Sequence, residues 1–308
     1  MRILIGGSSG LIGSALVAYL RSAGHDVVRL VRWAAGDGDL EWSPSDGFLD
    51  PASFVGVDAV VNLGGAGIGD KRWSAERKQL ILSSRIDATT LLAETMAQLE
   101  NPPSAFVSSS AIGFYGERGD EELTEVSPAG PADDFLVQVT TAWEAATAPA
   151  SAAGIRTAIA RHGIVLDASG GALGKMLLPY KLGVGGKLGN GRQWWSWISL
   201  YDEVRALTHL VTGDLAGPVN LTAPNPVTNT ELTKALGSVL NRPTLLPTPR
   251  FGLELLLGKE LAKALVFTSA KVLPQKLLDS GFVFAHSGVV DGLRAALEGS
   301  TAAIGRTA

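Results

Sequence analysis

A short apolar run followed at once by three spaced glycines is the feature of this chain that most limits its possible folds. The run at residues 3–5 is followed by Gly7, Gly10 and Gly13, and apolar residues then recur at helical spacing before a second apolar run at residues 27–31. This order of strand, glycine turn, helix and strand within about 30 residues is the context in which spaced glycines become informative. It predicts buried parallel strands in an α/β fold.

The glycine turn also predicts a bound group. Glycines let the backbone turn tightly and approach a pyrophosphate, whose charge is stabilised by the free N–H groups and the positive dipole end of the following helix. An ordinary turn without a ligand is the alternative, but the spaced glycines would then cost backbone entropy without a structural benefit. The residues predicted to hold the pyrophosphate are Gly7, Ser9, Gly10, Leu11, Ile12 and Gly13.

The end of the second predicted strand indicates which dinucleotide fits. An acidic residue there would bind the adenosine ribose hydroxyls and favour NAD, whereas this strand ends in Arg32. A guanidinium at this point can pair with a 2′-phosphate, so the sequence predicts NADP(H), with a solvated surface arginine as the alternative. Asp37 and Asp39 come too late in the chain for the ribose position. Residues 33–56 show no periodic pattern and are predicted to form a loop.

Composition excludes several classes of function. The chain has 308 residues, a formal net charge of −4 and no cysteine, so it offers no electrostatic case for nucleic acid and no thiolate chemistry. The lack of cysteine fits a reducing compartment, and we expect a cytoplasmic protein. No signal-peptide pattern and no apolar run of membrane-spanning length is present, so no membrane partner is expected. The four histidines lack metal-ligand spacing, and no metal site is predicted. They are His25, His162, His209 and His286.

The GxxGxxG spacing resembles that of the short-chain dehydrogenase/reductase superfamily, in particular an atypical subgroup of its extended branch of NAD(P)-dependent epimerases and dehydratases. The resemblance implies a doubly wound, Rossmann-type parallel sheet of the α/β class with a smaller C-terminal substrate-side domain. It implies an NADP-binding domain over residues 1–165, to which later segments return, and a substrate-side and C-terminal domain over residues 166–298. Residues 299–308 are predicted to be a frayed, disordered tail.

Further segments resemble cofactor-binding positions of the family. A glycine run after the predicted strand 58–63 is similar to the family's NxAG-like segment, which runs beside the adenine and ribose of the cofactor. An ordinary loop between a strand and a helix is the alternative. The string SSRIDAT resembles a segment whose arginine lies near the cofactor, and an arginine–glycine turn approaches the nicotinamide in extended members. The contacts implied in this way are those of Leu63, Gly64, Gly65, Arg85, Ser108, Arg161 and Gly163.

A run of serines follows the fourth predicted strand, which begins at Ala105. It matches the position of the family's catalytic serine, whose hydroxyl can polarise a substrate carbonyl or hydroxyl. Ser109 and Ser110 are therefore predicted to be catalytic, with a plain serine-rich turn as the alternative. The following AIGFYG is similar to the SSAxVYG segment of nucleotide-sugar epimerases but one residue longer, and it would place Tyr115 at the substrate cleft.

The chain departs from the family where the family carries Tyr-x-x-x-Lys, its acid/base pair. Phe135 stands at the tyrosine position and Val139 at the lysine position. Phenylalanine cannot transfer a proton, so another group must do so if the protein is an enzyme, unless substrate or water carries the proton. The candidates from the sequence are Tyr115, Asp133, Asp134 and Glu144.

A later segment, GNGRQWWSWISLYD, resembles the subgroup's GxGxQxxxWIHxxD motif, with Ser199 in place of the histidine. Aromatic side chains beside a flexible loop can form a lid or a stacking wall. Gln193, Trp194 and Trp197 are therefore predicted to contact the substrate, with core packing of the tryptophans as the alternative.

The resemblance implies an NADP(H)-binding atypical oxidoreductase or epimerase that acts on a small molecule, either a carbonyl, a carbinol or a nucleotide-linked sugar. A monomer or a homodimer is expected. Two alternatives stay open. The protein could be a redox sensor or regulatory protein that holds NADP(H) without turnover, which the missing Tyr/Lys pair favours, or a sugar isomerase with a tightly held cofactor.

Overall fold

The computed structural model describes residues 1–33, 36 and 38–299. Asp37 and residues 300–308 of the predicted tail lie outside the described residues. The strands, in chain order, are β1 (Arg2–Gly6), β2 (Asp26–Val31), β3 (Leu40–Ser43), β4 (Phe48–Leu49), β5 (Ala59–Asn62), β6 (Ala105–Ala111), β7 (Glu122–Leu123), β8 (Arg156–His162), β9 (Ile164–Leu166), β10 (Trp194–Trp195), β11 (Trp197–Ser199), β12 (Gly217–Leu221), β13 (Val227–Thr228) and β14 (Lys271–Val272).

Helices pack on both faces of the sheet, and helices also make up much of the later part of the chain. They are α1 (Leu11–Ser22), α2 (Ala75–Ala97), α3 (Phe135–Ala145), α4 (Ala148–Ala152), α5 (Gly171–Lys181), α6 (Leu200–Thr212), α7 (Asn229–Leu240), α8 (Arg250–Leu257), α9 (Lys259–Ala262), α10 (Gln275–Asp279) and α11 (Val289–Glu298). Short 3₁₀ turns lie at Pro44–Asp46, Pro51–Phe54 and Ile112–Tyr115, and a π-helical turn lies at Lys263–Phe267.

The main sheet has the order β12-β8-β6-β5-β1-β2-β3-β4. Every neighbouring pair is parallel except β3 with β4. This is the doubly wound sheet that the sequence predicts. The strand order reverses between β1 and β5, and such a reversal creates a crevice at the carboxyl ends of the strands, where ligands bind in open α/β sheets.

The prediction of a structureless loop over residues 33–56 is wrong. The segment contains β3 and β4, which extend the edge of the sheet. Trp42 and Leu49 are buried there in the core cluster that contains Ala88 and Leu92 of α2. The strands are short and half of their side chains face solvent, so the segment carries too little periodicity to be recognised from the sequence.

Alternate side chains of each strand face opposite helical layers. Ile3 and Ile5 of β1 pack with α1 and α6 in one core cluster. Leu4 of β1 and Phe106 of β6 pack with α2 in the other. Neighbouring residues at the end of a central strand therefore belong to different faces of the protein.

The end of the chain contacts earlier elements in several places. β14 pairs with β7, and the carboxylate of Asp202 accepts hydrogen bonds from the backbone N–H groups of Ala285 and His286 at 2.9 and 2.8 Å. Trp197 is fully buried and packs so closely on α11 that a side chain at Gly292 would overlap its ring. Within the described residues, no helix combines the length and the apolarity needed to cross a bilayer.

Candidate functional site

The glycine turn between β1 and α1 is packed against the turn that follows β5. Gly7 has φ +78°, and a Cβ on it would lie 2.5 Å from the carbonyl carbon of Leu63. A Cβ on Gly13 would overlap the carbonyl oxygen of Gly7. Gly10 is different, because its Cβ would meet nothing closer than 3.5 Å. The protein's own packing thus requires two of the three glycines and leaves open space at the third.

The N-terminus of α1, directly after this turn, has no capping side chain. Gly10 is the N-cap residue and supplies no side chain to the first N–H groups of the helix. Ser9 and Gly10 are both exposed. Uncapped N–H groups and the helix dipole form an anion site. The geometry therefore fits a phosphate group held against the turn.

Arg32 lies directly after β2 and is exposed. Its guanidinium carbon lies 4.6 Å from the centre of the Trp33 ring. Within residues 1–33, 36 and 38–299, no carboxylate forms an ion pair with it. Asp39 is not a competitor for the ribose position, because Arg29 of β2 binds its carboxylate at 2.7 Å and holds the pKa of Asp39 below its ordinary value.

A buried amide holds the turn after β5 in place. Asn62 accepts a hydrogen bond from the backbone N–H of Gly64 at 3.1 Å and donates to Thr89 Oγ1 at 3.0 Å. Thr89 also accepts a hydrogen bond from Trp143 Nε1 at 2.9 Å. The position of this turn is therefore fixed by α2 and α3 together.

Arg85 of α2 lies beneath the same turn. Its side chain donates to the carbonyl oxygens of Ala66 and Ile81 at 3.0 and 2.9 Å, and a Cβ on Gly65 would lie 3.0 Å from its guanidinium carbon. Arg85 is 7% exposed and has no carboxylate partner among the described residues. Burial, helped by the nearby charge of Arg77, lowers the pKa of Arg85 to about 10. A buried positive charge without a carboxylate partner among the described residues thus lies beneath the turn that follows β5.

The end of β6 divides the serines between the two faces of the sheet. On the α3 face, Ser110 donates to Glu144 Oε1 at 2.6 Å, and Arg161 binds both carboxylate oxygens of Glu144 at 2.8 Å. Arg161 also donates to the Tyr115 hydroxyl at 2.9 Å, which in turn donates to Asn220 Oδ1 at 2.7 Å. We call these five residues the Ser110 network.

The charges of the Ser110 network are compensated within it. Burial alone would lower the pKa of Arg161, but the carboxylate of Glu144 and the Tyr115 hydroxyl more than offset this, and the net pKa is raised. Burial raises the pKa of Tyr115, which is fully enclosed. Each polar side chain here contacts another member, and Tyr115 and Asn220 also contact the backbone carbonyl oxygens of Thr124 and Leu273 at 3.0 and 2.9 Å.

On the α6 face, Ser109 belongs to a second group. Its Oγ lies 2.8 Å from His162 Nε2, and His162 Nδ1 lies against Glu203 Oε1. Ser109 is 3% exposed and Glu203 is fully buried. The second carboxylate oxygen of Glu203 has no hydrogen-bond partner in the described part of the chain. We call these three residues the Ser109 network.

His162 and Glu203 were not predicted as site residues from the sequence. The histidines were considered only as metal ligands, and Arg161 was selected without its neighbour. One signal was present, because His162 follows Arg161 at the predicted end of β8 and would point to the opposite face of the sheet. Glu203 carried no comparable signal.

Other predicted residues have contacts inside the protein. Ser108 is fully buried, and its hydroxyl has no partner among the residues described. A Cβ on Gly163 would lie 2.7 Å from the carbonyl oxygen of Ser196, so close packing already requires glycine there. Phe135 begins α3 and packs edge-on against Trp73 with ring centres 4.9 Å apart. Asp134 caps α3 by accepting from the backbone N–H of Leu136 at 2.8 Å.

The three predicted substrate residues also contact protein groups. Gln193 donates to the carbonyl oxygen of Val266 at 3.0 Å, and Trp194 Nε1 donates to Asp120 at 2.8 Å. Trp197 lies in the core described above. Their substrate roles stay predictions. By contrast, the structure brings the predicted glycine turn, the turn after β5 and the serines together at the carboxyl edge of adjacent parallel strands.

Comparisons with known proteins point to one family. The sequence model of the NAD dependent epimerase/dehydratase family matches residues 3–221, and a domain of unknown function (DUF1731) matches residues 248–296. An epimerase family protein of Mycobacterium tuberculosis is 43% identical over 293 residues, which cover 94% of this chain and 96% of that protein.

Two solved structures resemble the chain over almost its whole length. The crystal structure of human epimerase family protein SDR39U1 (isoform 2) with NADPH has a TM-score of 0.89 at 32% identity, and the match covers 97% of this chain and 99% of that one. The nucleoside-diphosphate sugar epimerase from Corynebacterium glutamicum has a TM-score of 0.79 at 35% identity, over 97% of this chain and 58% of that one. The chain belongs to the NAD dependent epimerase/dehydratase family.

Proposed function

We propose that this protein binds NADP(H) along the carboxyl ends of β1, β2 and β5 and exchanges hydride between it and a carbonyl or carbinol carbon of a small molecule. The observation that carries the proposal is the glycine turn. Among the described residues Gly10 has no packing neighbour that requires a glycine, and it lies at the N-terminus of α1, where no side chain caps the helix. A related human protein was crystallised with NADPH, which supports the same ligand here.

The residues present fit the parts of this cofactor. The backbone from Gly7 to Gly13 would hold the pyrophosphate, and Arg32 at the end of β2 would pair with the 2′-phosphate. The turn formed by residues 63–65 would lie along the adenosine ribose. Arg85 beneath it lacks a carboxylate partner among the described residues, so it would add positive charge where an anionic ligand approaches.

The bound nicotinamide would supply or accept the hydride, and the protein would have to orient the substrate oxygen and move its proton. The serines at the end of β6 would perform the first task. We also propose that residues 166–298 provide most of the substrate-side surface. The segment resemblances that suggested this division leave the substrate itself open.

A second candidate is a protein that holds NADP(H) without turnover. The observation that favours it is the pair of residues at the usual acid/base positions, since Phe135 packs on Trp73 and Val139 is 1% exposed in the core. Neither can carry a proton. A third candidate is a nucleotide-sugar isomerase, which would show transient reduction of a tightly held cofactor without net consumption.

Calorimetric titration of nucleotide-free protein with NADPH and, separately, with NADH tests the cofactor proposal. We expect NADPH to bind more tightly, and Arg32→Ala to remove most of that preference. Arg294→Ala is a matched control, because Arg294 is an exposed arginine on α11 and its loss should leave the preference intact. If neither nucleotide binds, the proposal is wrong.

A substrate screen with NADPH then separates the candidates. Substrate-dependent NADPH consumption supports hydride exchange with release of product. Persistent cofactor binding with no consumption across a broad panel of carbonyl compounds supports the non-catalytic reading.

A further inference from the structure

We propose that the Ser109 network moves the substrate proton in place of the absent tyrosine and lysine. Ser109 Oγ would contact the reacting oxygen, His162 would take or return the proton through that hydroxyl, and Glu203 would position the imidazole. The inference rests on the proposed function, because it assigns a proton path to the hydride exchange described above.

The arrangement has the connectivity of a proton relay. Ser109 Oγ lies 2.8 Å from His162 Nε2, and Glu203 lies against Nδ1 on the other side of the ring. In the proposed relay Glu203 is a carboxylate, which only accepts hydrogen bonds, and the proton of a neutral His162 therefore lies on Nδ1. Nε2 then accepts the hydrogen bond from Ser109. This is the serine–histidine–carboxylate order in which a histidine acts as a base towards a hydroxyl.

Burial and charge set this group apart from an ordinary surface contact. Glu203 is fully buried, and its only partner in the described part of the chain is His162, since its second oxygen has none. An isolated buried carboxylate is costly. That cost falls when a proton arrives on His162, because the imidazolium and the carboxylate then form an ion pair. The network is thus built to stabilise the protonated histidine.

The location agrees with the proposed chemistry. Register pairs Asn62 with Ser108, so Ser109 lies one step further towards the carboxyl edge, beside the turn that begins at Leu63. That turn contacts Gly7 of the glycine turn. Ser109 therefore belongs to the same edge of the sheet as the proposed cofactor site.

A nucleophilic role for Ser109 fits less well. The residue lies in the middle of a paired strand, in register with Ala160 of β8, and not on a sharp turn that would present its hydroxyl to a carbonyl carbon. Transfer of a proton needs only hydrogen-bond contact with the substrate oxygen.

The proton balance is simple in both directions. When a carbinol is oxidised, its hydroxyl proton passes to Ser109 Oγ while the proton of Ser109 passes to His162 Nε2, and the C–H bond gives up its hydride to NADP⁺. When a carbonyl is reduced with NADPH, the same two protons move in the opposite direction and the oxygen becomes a hydroxyl. Ser109 begins and ends each cycle protonated, and between turnovers His162, whose side chain is 11% exposed, would exchange its proton with solvent.

The other serine–histidine pairs supply an internal control. His209 Nε2 lies 2.9 Å from Ser280 Oγ, in the last turn of α6 whereas Glu203 lies in the first turn, and its side chain has no carboxylate partner among the described residues. His209→Gln therefore removes a similar hydrogen bond without touching the network.

The test combines three measurements on full-length protein. Calorimetry gives NADPH affinity, reduction of 4-nitrobenzaldehyde by NADPH gives turnover, and nitrogen-15 NMR of histidine-labelled protein gives the protonated ring nitrogen of His162. We expect His162→Gln to lower kcat by about 100-fold or more, the usual range for general acid–base catalysis. NADPH affinity should change by less than about two-fold in His162→Gln, and His209→Gln should match wild type in every measurement.

The Glu203→Gln variant tests whether Glu203 positions the His162 imidazole or only packs against it. The amide keeps the shape of the side chain and can still accept a hydrogen bond, but it lacks the charge that stabilises the imidazolium. We expect kcat to fall by about 10-fold or more with unchanged NADPH affinity, and the NMR spectrum to lose its strict preference for the Nδ1 proton. A purely structural role would leave kcat of the folded variant unchanged.

The outcomes separate this inference from the proposed function. If NADPH does not bind, the proposed function fails. If NADPH binds and wild type reduces the aldehyde, but His162→Gln does so equally fast, only the relay fails. A wild type that binds NADPH and consumes none of it with a broad panel of carbonyl compounds overturns the relay together with the hydride exchange, and a neutral His162 protonated on Nε2 overturns the relay directly.

Discussion

The Ser110 and Ser109 networks begin at adjacent residues of β6 and differ in how completely their polar groups are paired. The Ser110 network joins a carboxylate to a guanidinium through two contacts of 2.8 Å and closes on a tyrosine and an asparagine. The Ser109 network is a chain of three groups that ends in a carboxylate oxygen without a partner in the described residues. A network in which the charged groups are paired stabilises the fold. A network that ends in a carboxylate oxygen without a partner can accept a proton.

The difference follows from strand geometry. Consecutive side chains of β6 point to opposite faces, so Ser110 meets α3 and β8 at Arg161, and Ser109 meets α6 and β8 at His162. Two neighbouring serines in the sequence thus enter unrelated environments. The resemblance to the family's catalytic serine, which the sequence assigns to Ser109 and Ser110 alike, therefore does not decide which of them moves a proton.

Glu144→Ala should cause the largest change. It leaves Arg161 buried without its carboxylate, and breaking a buried ion pair on one side typically costs about 3–5 kcal/mol. Urea unfolding should show that loss, while Asp291→Ala, at an ion pair with both side chains more than half exposed, should cost about 1 kcal/mol or less. Equal effects at the two sites would contradict the view that the Ser110 network stabilises the fold.

Tyr115→Phe should cost about 1–3 kcal/mol of unfolding free energy, because Asn220 and Arg161 each lose a buried partner. We expect NADPH-dependent turnover of the folded variant to stay close to that of wild type. A large loss of turnover with unchanged stability would instead support the catalytic role that the sequence predicts for Tyr115.

Arg85→Met extends the comparison to the two buried arginines. Arg161 has a carboxylate partner, whereas burial lowers the pKa of Arg85 to about 10. Removing the Arg85 charge relieves this burial cost but also removes two hydrogen bonds, so we expect a net change within about 1 kcal/mol, against a loss of about 3–5 kcal/mol for Arg161→Met. NADPH affinity should fall in Arg85→Met, and unchanged affinity would argue against a cofactor role.

Ser108→Ala should have the smallest effect, a gain of up to about 1 kcal/mol. Its buried hydroxyl has no partner among the described residues, and an unpaired buried polar group is destabilising. Thermal unfolding without nucleotide measures the gain. Loss of NADPH affinity in this variant would support the predicted contact between Ser108 and the cofactor.

Local signals in the sequence were enough to predict the central strands and the glycine turn, but not the edge strands β3 and β4. Strand, turn and helix follow one another at the glycine turn, and a close contact with the neighbouring Gly7 requires glycine at position 13, although the contact that requires Gly7 itself is with the distant Leu63. The Ser109 network could not be predicted in the same way, because its members are separated by 53 and 41 positions in the chain. Its assembly depends on which face each residue of β6 and β8 occupies. That in turn depends on strand register.

The most direct test of the difference between the two networks is to compare Ser109→Ala with Ser110→Ala in turnover of 4-nitrobenzaldehyde by NADPH-loaded protein, corrected for the folded fraction. We expect Ser109→Ala to lose about 100-fold or more in kcat, and Ser110→Ala to stay within about 10-fold of wild type. The reverse order would contradict the account, and it would return the catalytic role to Ser110 and its paired carboxylate.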